Sequence, residues 1–349
     1  MNSTPKGRGT GVHTPNRFQR FQTSKDEEWS HGSEETSDPN TLFITENSKS
    51  IVSVSNSPDL AGFTSINPYR GCEHGCIYCY ARNSHEYWGY SAGLDFESKI
   101  IVKRNAPSLL EKLFNSPSWE PRVIHLSGNT DCYQPAEKKF GITRKLLEVC
   151  LKYRNPVAIL TKNALVARDI DLLKKLAQLN LTSVAFSITT LDEKVRRTLE
   201  PRTATGQRKL ATMKRLYEEG IPVGVMTAPL IPGLNDHEIA PIIEASSEHG
   251  ACWAGYTIVR LNGVLGELFK EWAYRNFPDR ADKMLNQIKS CHGGQLNDSK
   301  FFRRSEGEGA IAESIRQMHR IACQRFLNGR SLPSLDTTLF IRGGQLKLF

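Results

Sequence analysis

The sequence predicts an α/β fold: a partial, TIM-like barrel of about six βα units with a helical C-terminal extension and a disordered N-terminal tail. Three observations predict it. Short apolar runs recur along the middle of the chain, segments of helical period separate them, and polar residues gather just past the carboxyl end of each run. An open, doubly wound sheet is the alternative that the same rhythm allows.

In chain order, residues 1–50 read as a polar tail. Its first 40 or so positions are rich in Gly, Ser, Thr and Asn and carry no period, so they are expected to be disordered or draped over the body as a lid or partner-binding arm. The core is placed at residues 51–261. Its first strand must carry "SINPYRG", and the strands that follow are "VIHLSGN" from Val123, "VAILTK" from Val157, "SVAFSITT" from Ser183, "VGVMTAPL" from Val223 and "WAGYTIVRL" from Trp253. Each is mostly apolar on both alternations, as for parallel strands buried on two faces.

Between them, "LVARDIDLLKKLAQLN" puts Val166, Ile170, Leu173 and Ala177 on one helical face. "TGQRKLATMKRLYEEG" does the same with Leu210, Met213, Leu216 and Tyr217, and Gly220 stops it. "NDHEIAPIIEASSEHG" opens on a capping candidate, Asn235 or Asp236, and closes on Gly250. Strand–helix–strand order implies right-handed parallel crossovers. Residues 262–349 form the extension, in which "GELFKEWAYRNFP" and "GAIAESIRQMHRIACQRFLNG" are helical. The second helix places Ile311, Ile315, Met318 and Ala322 at three- and four-residue steps. Part of the open barrel should be covered by these helices together with the polar, basic loop between them. The loop's Phe301, Phe302, Arg303 and Arg304 are either stacking and phosphate contacts or plain surface residues of a cap.

Composition narrows the function. With 39% hydrophobic and 24% charged residues the chain is ordinarily globular, no apolar run approaches the roughly 18 residues that cross a bilayer, and the start lacks a signal-peptide core. A cytoplasmic protein without membrane contact is expected. Eight cysteines in that setting argue for reduced thiols or a metal site over a disulfide framework. The net charge of +9 suits an anionic partner, and because residues 1–40 are nearly balanced the surplus belongs to the folded part.

The strongest signal is "INPYRGCEHGCIYCYAR", which packs Cys72, Cys76 and Cys79 into eight residues. Closely spaced thiolates on one tight loop suit an iron–sulfur cluster. Three cysteines would leave one iron of a 4Fe–4S cluster without a protein ligand, and an open metal position can bind and polarise something else. Structural zinc with His74 is the competing reading, but no second Cys/His pair lies at finger-like spacing.

These residues resemble the radical S-adenosylmethionine (SAM) signature, CxxxCxxC with an aromatic residue, Tyr78, before the last cysteine. "SGNTDCYQPAEKK", "GITRKLLEV", "LTKN", "ARDIDLL", "FSITTLDE", "RTLEPRTAT" and "APLIPGLND" extend the similarity to the spore photoproduct lyase-like branch, whose members are often labelled DNA repair photolyases. "GRGTGVHTPNRFQ" and the terminal "GGQLKLF" are similar to a bacterial subgroup of that branch. The resemblance implies a 4Fe–4S cluster held by Cys72, Cys76 and Cys79, with SAM on the open iron. It also implies reductive cleavage of SAM to a 5′-deoxyadenosyl radical that abstracts hydrogen, and a flavodoxin or ferredoxin as reductant. It places Tyr78 near the adenine and Thr130, Lys162 and Ser187 near SAM; an ammonium at Lys162 can meet the methionyl carboxylate.

The chain departs from the lyases at their hydrogen-donor cysteine, where it has Gly128. Cys132, four residues on, is the candidate catalytic thiol, or else a small buried hydrophobe. Tyr80 is packing or part of a radical relay, and Glu200, Pro201 and Arg202 are expected to organise a loop through an internal ion pair. The expected function is therefore that of a radical SAM enzyme, lyase-like by resemblance, acting as a monomer with a nucleic acid as the leading substrate. A peptide or small metabolite as substrate is the alternative within enzymes. A non-enzymatic, cluster- or zinc-bearing nucleic-acid-binding protein is the alternative outside them.

Overall fold

The computed structural model describes residues 4–18, 41–60 and 62–343. Ten strands alternate with eleven α-helices among them. The strands are β1 (Leu42–Thr45), β2 (Val52–Val54), β3 (Thr64–Ile66), β4 (Tyr69–Arg70), β5 (Lys99–Val102), β6 (Ile124–Leu126), β7 (Val157–Thr161), β8 (Thr182–Ser187), β9 (Val223–Leu230) and β10 (Ala254–Ile258). The helices are α1 (Leu94–Ser98), α2 (Ala106–Asn115), α3 (Pro135–Phe140), α4 (Ile142–Tyr153), α5 (Ile170–Gln178) and α6 (Glu193–Leu199). They continue with α7 (Gly206–Glu218), α8 (Ile239–Glu248), α9 (Leu265–Asn276), α10 (Ala281–Cys291) and α11 (Gly309–Phe326).

The main sheet runs β10-β9-β8-β7-β6-β3-β2. From β3 to β10 every pairing is parallel, which makes the six expected βα strands, and β2 adds an antiparallel edge. The two edges stand at opposite ends of the order, so the barrel is open. A second sheet, β1-β5-β4, was not anticipated and carries the chain into the cysteine loop.

Alternation sorts each strand onto two unlike faces. Ile124, Leu126, Val157, Ile159, Val184, Phe186, Val223 and Val225 meet Leu146, Leu173, Leu176, Leu210, Met213 and Leu216 of the surrounding helices in one core. The opposite face is not a second core, contrary to the two-sided burial read from composition. There the register lines up Ser65, His125, Ala158 and Ser183 in one row and Leu160, Ala185 and Gly224 in the next. Small and polar side chains leave a lumen.

Two helices face differently than their spacing suggested. A 3-10 turn over Ala164–Asp169 precedes α5, and its tighter winding shifts the phase, so that Leu172, Leu173 and Leu176 are buried while Ile170 and Ala177 are only partly so. In α7, Leu210, Met213 and Leu216 are buried as expected, but Tyr217 is exposed and its ring occupies the space beside Gly250. Asn235 makes no cap; its side chain ties Ile231 N, Thr189 O and Pro229 O together at the ends of β8 and β9.

Residues 4–18 take the draped alternative for the tail, with Arg8 and Thr10 buried; residues 19–40 lie outside the described residues. The C-terminal loop crosses the open side of the barrel. Ser305 O accepts from Ile258 N of edge strand β10 at 2.8 Å. Next to it, Arg304 reaches Asp59 at 2.6 and 2.7 Å and Ser57 at 2.7 Å in the turn between β2 and β3. This strap borders a recess of about 490 Å³ lined by Asp59, Phe63, Arg122, His125 and Phe302. No helix among the described residues is long and apolar enough to cross a membrane.

Candidate active site

The cysteine loop leaves β4 through Gly71 and turns again at Gly75, both at positive φ. Backbone bonds pin it from outside: Cys72 N donates to Phe96 O at 2.8 Å and Ile77 N to Leu199 O at 3.1 Å. Cys72 and Cys76 are buried, Cys79 partly so, and none is in a disulfide. Burial pushes all three thiols up, with Asp131 adding to this at Cys72 and Arg82 opposing it at Cys79. Metal binding must therefore displace protons from them.

His74 is not available as a ligand. Its Nδ1 lies 3.5 Å from Asp131 Oδ2 and its Nε2 3.2 Å from Asn163 Nδ2. Among the described residues no three Cys, His, Asp or Glu side chains converge on a point that one ion would fill. The three thiols of this loop are all free.

Beside this loop, at the carboxyl ends of β7, β8 and β9, sits a buried polar knot. Lys162 Nζ donates to Ser187 Oγ at 2.6 Å, Glu200 Oε1 at 2.9 Å, Thr189 Oγ1 at 3.2 Å and Ala228 O at 3.3 Å. Lys209 Nζ lies 3.5 Å from Glu200 Oε2 and donates to Ser187 O at 3.0 Å. Burial works against the Lys162 ammonium, yet the Glu200 carboxylate holds it above its ordinary value. Burial likewise opposes the Glu200 carboxylate, and the two lysines hold it well below its usual range. Glu200 thus does more than organise a loop: it is the counter-ion of the knot. Lys162 and Lys209 share the one Glu200 carboxylate directly, and the Asp131 charge also favours the Lys162 ammonium.

Tyr78 joins the two features. Its ring centroid lies 5.5 Å from Lys162 Nζ, and its hydroxyl donates to Glu200 and lies 3.3 Å from Thr189 Oγ1. Asp131 supports the knot from below, accepting from Lys162 N at 2.7 Å and Thr161 Oγ1 at 2.8 Å. Thr189 and Asp131 had no individual role in the sequence reading; their position at strand ends was the available signal.

Other candidates fall elsewhere. Thr130 is buried and spends its hydroxyl on Tyr69 O at 2.8 Å, while Asn67 Oδ1 gathers the backbone of Asn129 and Thr130, so it organises a turn outside the knot. Cys132 has no exposed surface and belongs to the apolar core on the helix side. Of its two readings, this surrounding is that of a small buried hydrophobe. Tyr80 does face open space, 52% exposed, with its hydroxyl on Gly128 O. Arg303 and Arg304 are committed to Asp298, Glu308 and Asp59, whereas Phe301 and Phe302 stand exposed.

The model of the radical SAM superfamily matches residues 66–245. An uncharacterised protein of Mycobacterium tuberculosis is 33% identical over 216 residues, covering 61% of this chain and 64% of the relative. The chain thus spans under two thirds of the mycobacterial relatives' length. An uncharacterised protein of Methanocaldococcus jannaschii is 32% identical over 222 residues, covering 64% of this chain and 79% of that one. Among solved structures, spore photoproduct lyase complexed with dinucleoside spore photoproduct superposes with a TM-score of 0.60 at 15% identity over 82% of this chain and 80% of that one, a likeness of fold. With its three-thiol loop beside a buried cationic knot on six parallel strands, and with more than half of its length matched, the chain belongs to the radical SAM superfamily, whose enzymes use a 4Fe–4S cluster and SAM.

Proposed function

We propose that Cys72, Cys76 and Cys79 hold the 4Fe–4S cluster, that Lys162, Ser187 and Tyr78 hold SAM beside it, and that the substrate attacked in the lumen is a nucleic acid. The observation that carries this reading is Tyr78: it sits between two of the thiols and is anchored on the counter-ion of Lys162, so cluster loop and cationic knot move as one piece. Bound together, the cofactors supply one-electron reductive cleavage of SAM to methionine and a 5′-deoxyadenosyl radical, the electron coming from a flavodoxin or ferredoxin.

The residues of the chain bind, orient and enclose. The Lys162 ammonium suits the methionyl carboxylate, and Ser187 orients it, accepting from Lys162 Nζ at 2.6 Å while donating to Ala228 O at 2.9 Å. Glu200 fixes the Tyr78 hydroxyl and with it the ring beside which adenine is placed. Thr130 acts at one remove, holding the end of β4 from which the cysteine loop starts. Ala158 and Ala185 keep the lumen-facing side of β7 and β8 small, and Tyr80 stands exposed with its hydroxyl on Gly128 O.

A nucleic-acid substrate is supported by the net charge of +9 and by the exposed Phe302 at the rim of the recess, a face on which a base can stack. The solved structure with the related fold holds a dinucleoside photoproduct. Gly128, in place of the lyase donor cysteine, argues against the same reaction on thymine photodimers.

Anaerobic reconstitution followed by a reductant-dependent assay for 5′-deoxyadenosine tests the enzyme reading. A loaded cluster without that product would overturn it. Deuterated oligonucleotides, peptides and metabolites then test the substrate: label in 5′-deoxyadenosine from DNA or RNA is expected, and label only from a peptide or metabolite rejects the nucleic-acid assignment.

A further inference from the structure

The stretch "GRGTG" near the amino terminus lies against the back of the cysteine loop. A Cβ on Gly9 would overlap Gly75 O, so two backbones touch with no side chain between them. Gly9 N donates to Glu97 Oε2 at 2.8 Å, and a Cβ on Gly75 would stand 2.8 Å from the same oxygen. Gly9, Gly75 and Glu97 therefore meet at one point of the cysteine loop, directly before Cys76.

Glu97 is also the partner of Arg82. The two are 2.5 Å apart and neither has exposed side-chain surface. Arg82 donates further to Cys76 O at 2.9 Å, Gly75 O at 3.2 Å, Ala92 O at 3.2 Å and Gly93 O at 2.9 Å, so the guanidinium is wrapped in the loop's own carbonyls. Arg8 Nη1 donates to Glu97 O at 2.5 Å and Arg8 Nη2 to Thr41 Oγ1 at 3.1 Å. Thr41 in turn donates to Glu73, the neighbour of Cys72, at 2.9 Å. The arm continues in contact: Val12 O accepts from Leu94 N at 2.9 Å, Thr14 N donates to Ser91 Oγ at 2.7 Å, and Arg17 pairs with buried Glu86 at 2.6 Å.

We infer that this amino-terminal arm is a part of the cluster site: Gly9 buttresses the loop that carries Cys72 and Cys76, and the Glu97–Arg82 pair it covers tunes the charge the cluster experiences. Arg82 and Glu97 act as positioning residues, since neither supplies a thiolate. Arg82 reaches the cysteine loop directly through Cys76 O and Gly75 O, and Glu97 is its buried partner. One-electron reduction adds a negative charge to a cluster. Removing the Glu97 charge leaves Arg82 uncompensated and favours the reduced form; removing the Arg82 charge does the reverse. A role in packing alone gives no such opposition of sign. The inference rests on the proposed cluster site.

The test uses the full chain, reconstituted anaerobically, with the folded fraction of each variant matched by circular dichroism. At a fixed redox poise, Glu97→Gln is expected to raise the reduced-to-oxidised ratio about tenfold, a shift of about 59 mV for one electron, and Arg82→Gln to lower it. Gly9→Ala, which keeps both charged side chains, is expected to release iron to a chelator roughly tenfold or more faster, as when outer-shell support is lost. Shifts of the same sign in both charge variants, or no shift, overturn the electrostatic part. Unchanged iron release in Gly9→Ala overturns the buttress, and this variant remains readable if a charge variant does not fold. A wild-type chain that takes up no cluster would reject the proposed function instead, which keeps the two failures apart.

Discussion

Lys162 Nζ and Glu200 Oε1 lie 2.9 Å apart, with the glutamate wholly out of solvent and the lysine mostly so. The two residues come from different strand–helix connections, so their meeting fixes the ends of β7 and β8 relative to the cysteine loop.

Replacing Glu200 by Gln leaves Lys162 and Lys209 buried together without a counter-ion. Breaking one side of such a pair costs roughly 3–5 kcal/mol, read from denaturant unfolding of the apo chain. The sign in pH follows from the depressed carboxyl. Its folded-state pKa lies below the ordinary 4.5, so the stability it contributes is present above that value and lost as pH falls through the acid range. The wild type should lose stability steeply below about pH 4.5, and Glu200→Gln should show a flatter acid limb.

Lys162→Met removes the cation proposed to meet SAM while leaving the thiols intact. A charge-assisted hydrogen bond is worth about 1.5–3 kcal/mol, which corresponds to roughly 10–100-fold weaker SAM binding. Calorimetric titration should find that loss with iron content equal to wild type. Equal loss of iron would mean that Lys162 supports the loop and not the ligand.

Single Ser replacements at Cys72, Cys76 and Cys79 should each reduce iron from about four atoms per chain to a small remainder. His74→Gln should keep the cluster, because both ring nitrogens are already engaged with Asp131 and Asn163. Zinc retained in place of iron, and lost in His74→Gln, would restore the zinc reading.

The strap makes a separate prediction. Arg304→Ala and Asp59→Ala should each hasten proteolysis near residues 298–306, and the double variant should fall well short of the sum, since both remove the Arg304–Asp59 contact. Additive effects would mean that the loop is held elsewhere.

What was legible in the sequence was what local pattern carries. The run Val223–Leu230 is β9 residue for residue, since apolar β-branched stretches bounded by a glycine turn and a polar loop have few alternatives. Cys72, Cys76 and Cys79, the proposed cluster ligands, stand out because three thiols are compressed into one loop. Contacts made across long separations were not. Thr189 meets Tyr78 over 111 positions and Gly9 meets Glu97 over 88, and neither leaves a mark in its own neighbourhood. Phase was lost where helix type changed, as at the 3-10 turn before α5. The two readings of Cys132 could not be separated in the sequence, because loop sequence does not report which side of a strand end its side chains take.

Gly128 gives that last point a physical test. A Cβ there would stand 2.7 Å from Ser65 Cβ and 2.8 Å from its Oγ, closer than packed atoms allow. The lyase donor position is therefore not an empty place awaiting a thiol; Ser65 of the adjoining strand already fills it. Gly128→Cys alone should be overpacked and destabilised by about 1–3 kcal/mol, with a lowered melting temperature. Adding Ser65→Gly removes the opposing side chain and should recover most of that loss while turning the new thiol toward the lumen. Thiol labelling of the double variant should then be fast, in contrast to the slow labelling expected at buried Cys132. If Gly128→Cys melts like the wild type, Ser65 yields freely and the glycine is not required by packing. The difference from the lyases would then lie in the chemistry at this position alone.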